Sequence, residues 1–347
     1  MRRSTFSLAL ALLALPPAAG AAATLVVANK AEATVSLVDL APGTVVATLP
    51  TGDGPHEVGV SSDGRFALVA NYGTGAAPGS SLTLVDVAAA RVVRTIDLGE
   101  YRRPHGVAWL DARRALVTAE ANRALLEVDV ETGAVLRAVA TGQEVSHMVV
   151  ATTDGARAFV ANIGSGSITA IDLARGEKLA DVATGDGAEG IALARGDREL
   201  WVTNRGADTV TVIDAASLER LAEIASPGFP IRAAATPLGT VLVTHARGGH
   251  LAVYSLAERA EAGRASFDLA ALGGEGRLFG NRFGASSVPI GVVVSADGAL
   301  AYVAHANADA VTEVDLATLR VTRTLRAGKE PDGMGWTAVE VAAAARP

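Results

Sequence analysis

A short apolar strand recurs seven times along the chain, ending in Asn four times, in His twice and in Ala once. It reads VVAN (Asn29), LVAN (Asn71), LVTA (Ala119), FVAN (Asn162), WVTN (Asn204), LVTH (His245) and YVAH (His305). A second apolar run follows each one: VSLVDL, LTLVDV, LLEVDV, ITAIDL, VTVIDA, LAVYSL and VTEVDL. The unit is about 42 residues long, a period that signals propellers or solenoids. DG turns at Asp63-Gly64, Asp154-Gly155 and Asp297-Gly298 punctuate it. Each unit therefore reads as four short β-runs with period-two alternation. A length of 347 residues would otherwise suggest two domains. The repeat instead predicts one all-β ring, a seven-bladed β-propeller of four-stranded blades, over residues 24–347. The first unit lacks an innermost strand, and GMGWTAV (333–339) supplies it. N- and C-terminal strands should thus share one blade, which removes an open sheet edge. The aspartates of the second run (Asp39, Asp86, Asp129, Asp172, Asp214 and Asp315, with Ser255 in the sixth unit) are expected to accept backbone N–H groups in tight corners.

Here the chain resembles the YVTN-type seven-bladed propellers, a group that includes cytochrome cd1-like and surface-layer-type members. VTNRGADTVTVID (202–214) and VSSDG (60–64) carry the likeness, which runs from about residue 25 to 339. The resemblance implies the fold. It does not imply one function, because relatives of this type include surface-layer proteins, periplasmic binders and enzymes.

The first residues are a basic Met1-Arg2-Arg3, an apolar run over 6–15 and small residues over 18–23. That order marks an export signal over 1–23, and the run is shorter than the roughly 20 residues a membrane span needs. Cleavage near Ala23 would leave Thr24 first and place the protein in the periplasm or outside the cell. Loss of two arginines moves the net charge from −7 to −9. An acidic domain repels phosphate backbones, so no nucleic-acid partner is expected. The absence of cysteine excludes thiolate-ligated zinc, iron–sulfur clusters and blue copper.

Three of the six histidines share one setting, in GPHEV (54–58), RPHGV (103–107) and VSHMV (145–149). Across the seven units this position holds His56, His105, His147, Glu189, Ile231, Ile290 and Asp332. In a propeller these residues begin the innermost strands and ring the mouth of the central channel. Three imidazoles with a carboxylate beside them suit a divalent metal such as zinc, copper or iron, with an open position for water or substrate. His56, His105 and His147 are the expected ligands, with Glu189 as fourth ligand or base. The alternative is a solvated polar rim that binds nothing. His245 and His305 fall on the same face and, with Asp332, are expected to orient ligands or to bind a small molecule.

The connection over 264–288 is about twenty residues longer than its counterparts and contains GGEGRLFGNRFGASS (273–287). Such length suggests a lid. Arg277 and Arg282 would meet an anion while Phe279 and Phe283 cover an apolar part. A second insertion, YGTGAAPGSS (72–81), reads as a flexible loop. The expected function is binding of a metal ion or small molecule at the His-bearing face, with metal-dependent hydrolase, lyase or oxidase chemistry an open extension. One rival is a non-catalytic module that binds another exported protein. Another, implied by the resemblance, is a modified haem, although no C-x-x-C-H motif is present.

Overall fold

The computed structural model describes residues 23–272, 277 and 279–346. Seven antiparallel sheets of four strands form a ring. The innermost strands are Pro331–Thr337, Pro55–Val60, Pro104–Trp109, Ser146–Ala151, Ala188–Ala194, Pro230–Ala235 and Pro289–Val294, in blades 1 to 7. Each touches the innermost strand on either side, and the last touches the first, so the circle closes. Blade 1 is composite. Thr24–Asn29 pairs with Pro331–Thr337 on one side and Thr34–Asp39 on the other.

The alternation of the sequence explains the layers. Apolar residues of the middle strands are almost fully buried between blades, as with Leu68, Leu82, Leu126 and Val117 between blades 2 and 3. Outer strands alternate exposed and at least partly buried positions, as in Ala260–Ser266. The repeated aspartates do accept corner N–H groups. Asp129 takes those of Glu131 and Thr132 at 2.9 and 3.0 Å, and Asp214 takes those of Ala216 and Ser217 at 2.9 and 2.8 Å. Trp109 donates across a blade boundary to the carbonyl of Gly59 at 2.9 Å.

One irregularity decides what reaches the channel. In every blade the register slips just after the first residue of the innermost strand, as between Pro55 and Val58 or Pro104 and Val107. Such a bulge sets two residues against one and re-aims their side chains. The second of the two is glycine in blades 1, 3, 5 and 7, because the neighbouring blade lies against it. A Cβ on Gly106 would stand 2.6 Å from the carbonyl oxygen of His147. Thr118 joins the same two blades, accepting from the Gly106 N–H at 2.8 Å and donating to the His147 carbonyl at 2.6 Å.

Two expectations about loops change. The strand Ala260–Ser266 absorbs the start of the long connection, which therefore begins at 267 and not at 264. Residues 72–81 are not a free loop: strands Phe66–Gly73 and Pro78–Asp86 continue through them, with Gly73 paired to Pro78. Among the described residues, no helix is long and apolar enough to cross a membrane.

Candidate metal and ligand site

His56, His105 and His147 are the bulge residues of blades 2, 3 and 4, and the ring brings them side by side. Ring centroids are 4.1 Å apart for His56 and His105, and 3.5 Å for His105 and His147. His56 and His147 stand 6.3 Å apart, so His105 is the middle member. It is fully buried, and neither of its ring nitrogens has a hydrogen-bond partner. Among the described residues, two groups of side chains have the spacing to hold a metal ion: His56, Glu57 and His105, and His105, Glu120 and His147. His105 belongs to both.

Carboxylates flank the row. Asp332 Oδ2 lies 3.0 Å from His56 Nδ1 without hydrogen-bond alignment, and 3.6 Å from Lys30 Nζ. His147 Nδ1 contacts Glu120 Oε1, and its Nε2 is 3.2 Å from Glu189 Oε1. Tyr72 donates its hydroxyl to the other Glu120 oxygen at 2.6 Å. Across the channel Arg232 of blade 6 donates to Glu57 Oε1 through Nε and Nη2, at 2.9 and 2.6 Å, and to Glu189 Oε1 at 2.8 Å. Arg205 takes the second Glu189 oxygen.

These surroundings split the imidazoles electrostatically. Burial holds His105 well below the ordinary imidazole pKa, and the neighbouring His147 and His56 add to the effect. Burial also lowers His56, outweighing the attraction of Asp332. His147 goes the other way: burial opposes its charge, but Glu120 and Glu189 together raise its pKa. Burial would raise Glu189, yet Arg205, His147 and Arg232 pull it below the carboxylate range. Held by two guanidinium groups, Glu189 is a weak base and a poor fourth ligand. Glu120 is the carboxylate closest to the imidazole row on that side.

A cavity of about 240 Å³ opens in front of the row. One wall is polar, formed by Lys30, His56, Tyr72, Glu120 and His147. The rest of the lining is mixed: Val145, Ile163, Ile231, Ile290 and Phe279 are apolar, and Glu189, Arg205 and Arg232 are charged. Lys30 and Tyr72 also border a wider outer recess of about 670 Å³, which makes them the partition between the two.

The other expected site residues go elsewhere. His245 bonds Ser226 at 2.8 Å and stacks on His250 at 4.2 Å, inside blade 6. His305 bridges Ser287 and Thr312 at 2.9 and 2.8 Å. That is the task Asn71 performs in blade 2 with Ser81 and Thr83, so both histidines brace blades and neither lines the cavity. Arg277 pairs with Asp309 at 2.8 Å, and Arg282 lies over the rings of Phe229 and Phe283. Among the described residues of the long loop, Phe279 reaches the cavity, and it packs on Phe229 and Phe283.

Sequence reasoning missed Glu57 and Arg232, and also Lys30, Tyr72, Glu120 and Arg205. The first two replace the glycine that follows the ring position in other blades, so a charge in a glycine slot was their signal. The other four occupy one repeat phase, immediately after the VVAN-type anchor, where blades 4, 6 and 7 carry Ile163, Ala246 and Ala306.

A sequence model of the YNCE-like beta-propeller family matches residues 14–115, under a third of the chain. The YVTN-type resemblance holds. No curated protein matches at a significant level. Among solved structures, a chain of Kuenenia stuttgartiensis hydrazine synthase aligns with a TM-score of 0.66 and 18% identity, over 81% of this chain and 88% of that one. A functionally unknown protein from Desulfotomaculum acetoxidans DSM 771 aligns with a TM-score of 0.74 and 10% identity, over 90% and 98%. At these identities the likeness concerns the propeller fold alone.

Proposed function

We propose that this is an exported propeller that binds a divalent transition metal at its imidazole row, with His105 as the central ligand. His147 and Glu120, or His56 and Glu57, complete the set. The observation that carries the reading is His105 itself. An unpartnered buried polar group costs on the order of 1–3 kcal/mol, and this side chain leaves two nitrogens in that condition between neutralising carboxylates. A metal ion removes that penalty at the nitrogen it binds, and neutral imidazole is the commonest protein metal ligand. Glu189, Arg205 and Arg232 act as positioning residues that hold His147 and Glu57 in place.

The cavity's size favours an ion with a small co-ligand. Drug-sized ligands occupy roughly 300–1,000 Å³, more than the space in front of the row, and a porphyrin is bulkier still. Zinc held here would lower the pKa of a bound water, which is the route by which the site would acquire hydrolytic chemistry.

Elemental analysis of purified protein tests the proposal. Near-stoichiometric zinc, copper or iron is expected, lost in His105→Ala and reduced in Glu120→Gln, with circular dichroism unchanged in the second variant. A metal-free wild-type protein that takes up none of these ions on dialysis contradicts it.

A further inference from the structure

We infer that the metal-loaded cavity takes a small monoanion with an apolar body, a short alkanoate or arylcarboxylate whose carboxylate completes the metal's coordination. The inference rests on the metal reading above and adds the ligand class.

Charge is the first argument. Four carboxylates, Glu57, Glu120, Glu189 and Asp332, are buried around the row. Three fixed cations answer them: Arg232 bonds Glu57 and Glu189, Arg205 bonds Glu189, and Lys30 stands beside Asp332. The set leaves one negative charge unmatched. A divalent ion on neutral imidazoles turns that deficit into one surplus positive charge. In a site shielded from water such a surplus is expensive, and one anionic ligand cancels it. A dianion would overshoot, and a cation would double the surplus.

Shape is the second. The cavity is bordered by His56, His147 and Glu120 and by the apolar Ile231, Ile290 and Phe279, within about 240 Å³, while His105 lies buried behind its lining. Water or chloride would satisfy the metal but leave those apolar side chains uncovered. A molecule with a carboxylate at one end and a hydrocarbon at the other meets both. Apolar burial stabilises by roughly 25 cal/mol per Å², enough to separate such a ligand from acetate. Entry is through the outer recess, past Lys30 and Tyr72, which line both spaces.

Calorimetric titration of the zinc-loaded full chain with benzoate tests this, with acetate, benzyl alcohol and benzylamine as comparison probes. Benzoate is expected to bind at least about tenfold more tightly than each of the three, a gap of about 1.4 kcal/mol. It should also bind at least about tenfold more tightly to the zinc-loaded than to the zinc-free protein. Phe279→Ala should weaken benzoate at least about threefold while zinc content, measured on the same samples, stays unchanged. Equal binding of benzyl alcohol would overturn the charge argument, and equal binding of acetate would overturn the shape argument. Benzoate binding that ignores zinc, or no benzoate binding to a protein that holds zinc, ends this inference alone. A chain that retains no metal ends both readings together.

Discussion

At Gly291 an added methyl group would lie 2.1 Å from the backbone oxygen of Asp332 on the next blade, nearer than any side chain tolerates. The glycine of the P-x-G element is therefore a spacing device that lets two innermost strands touch. Gly291→Ala is expected to cost about 1–3 kcal/mol through overpacking, measured by chemical denaturation. An unchanged midpoint would show that the blades can part without penalty. Where the device is broken by charge, the residue has another task. Arg232 stands in a glycine slot and carries two bonds to Glu57 and one to Glu189, all buried. Arg232→Met leaves Glu57 without its guanidinium and Glu189 with Arg205 alone, and should destabilise the fold by about 3–5 kcal/mol. Adding Glu57→Gln should recover part of that loss. A single variant as stable as the wild type would mean that the strut across the channel is not holding charge.

Within a blade, the anchor at the end of the second strand is a bracing point, filled by Asn in four blades and by His in two. Burial holds His305 near a pKa of about 3, and burial followed by the neighbouring His250 does the same for His245, against 6.5 for a free imidazole. The unfolded chain thus binds more protons than the native one between those values. Stability from this source is complete above pH 6.5 and is lost as pH falls toward 3, by roughly a few kcal/mol per residue. His305→Asn, which installs the residue used by the other blades, should move the acid-unfolding midpoint to lower pH. An unmoved midpoint would mean that His305 does not set the acid limit. The element scale also explains what the sequence withheld. Period-two alternation makes 56 and 57 point to opposite faces of the sheet, but the bulge sends both toward the channel. Pairing across the ring, as between Glu57 and Arg232, has no signature in any single repeat. His56, His105 and His147 were legible because the same bulge recurs in each blade, so residues that share its first position share a direction. His245 and His305 share a phase too, but one that points into the blade.

At the scale of the whole molecule, the repeat predicted the ring, the number of blades and the composite first blade, because each follows from a pattern printed seven times. The strand Thr24–Asn29 begins where an export signal ending at Ala23 would be cut. Mass spectrometry of the exported protein is expected to give Thr24 as the first residue, and a retained N-terminus would contradict export by that route. The same rotational order sets three imidazoles from blades 2, 3 and 4 against one another, while apolar residues at blades 4, 6 and 7 line the cavity beside them. X-ray absorption at the edge of the bound metal tests this assembly most directly. The account predicts a light-atom shell with the scattering signature of at least two imidazoles, and loss of the metal's edge signal in His105→Ala. A shell of oxygen alone, or a spectrum indifferent to that substitution, would contradict it.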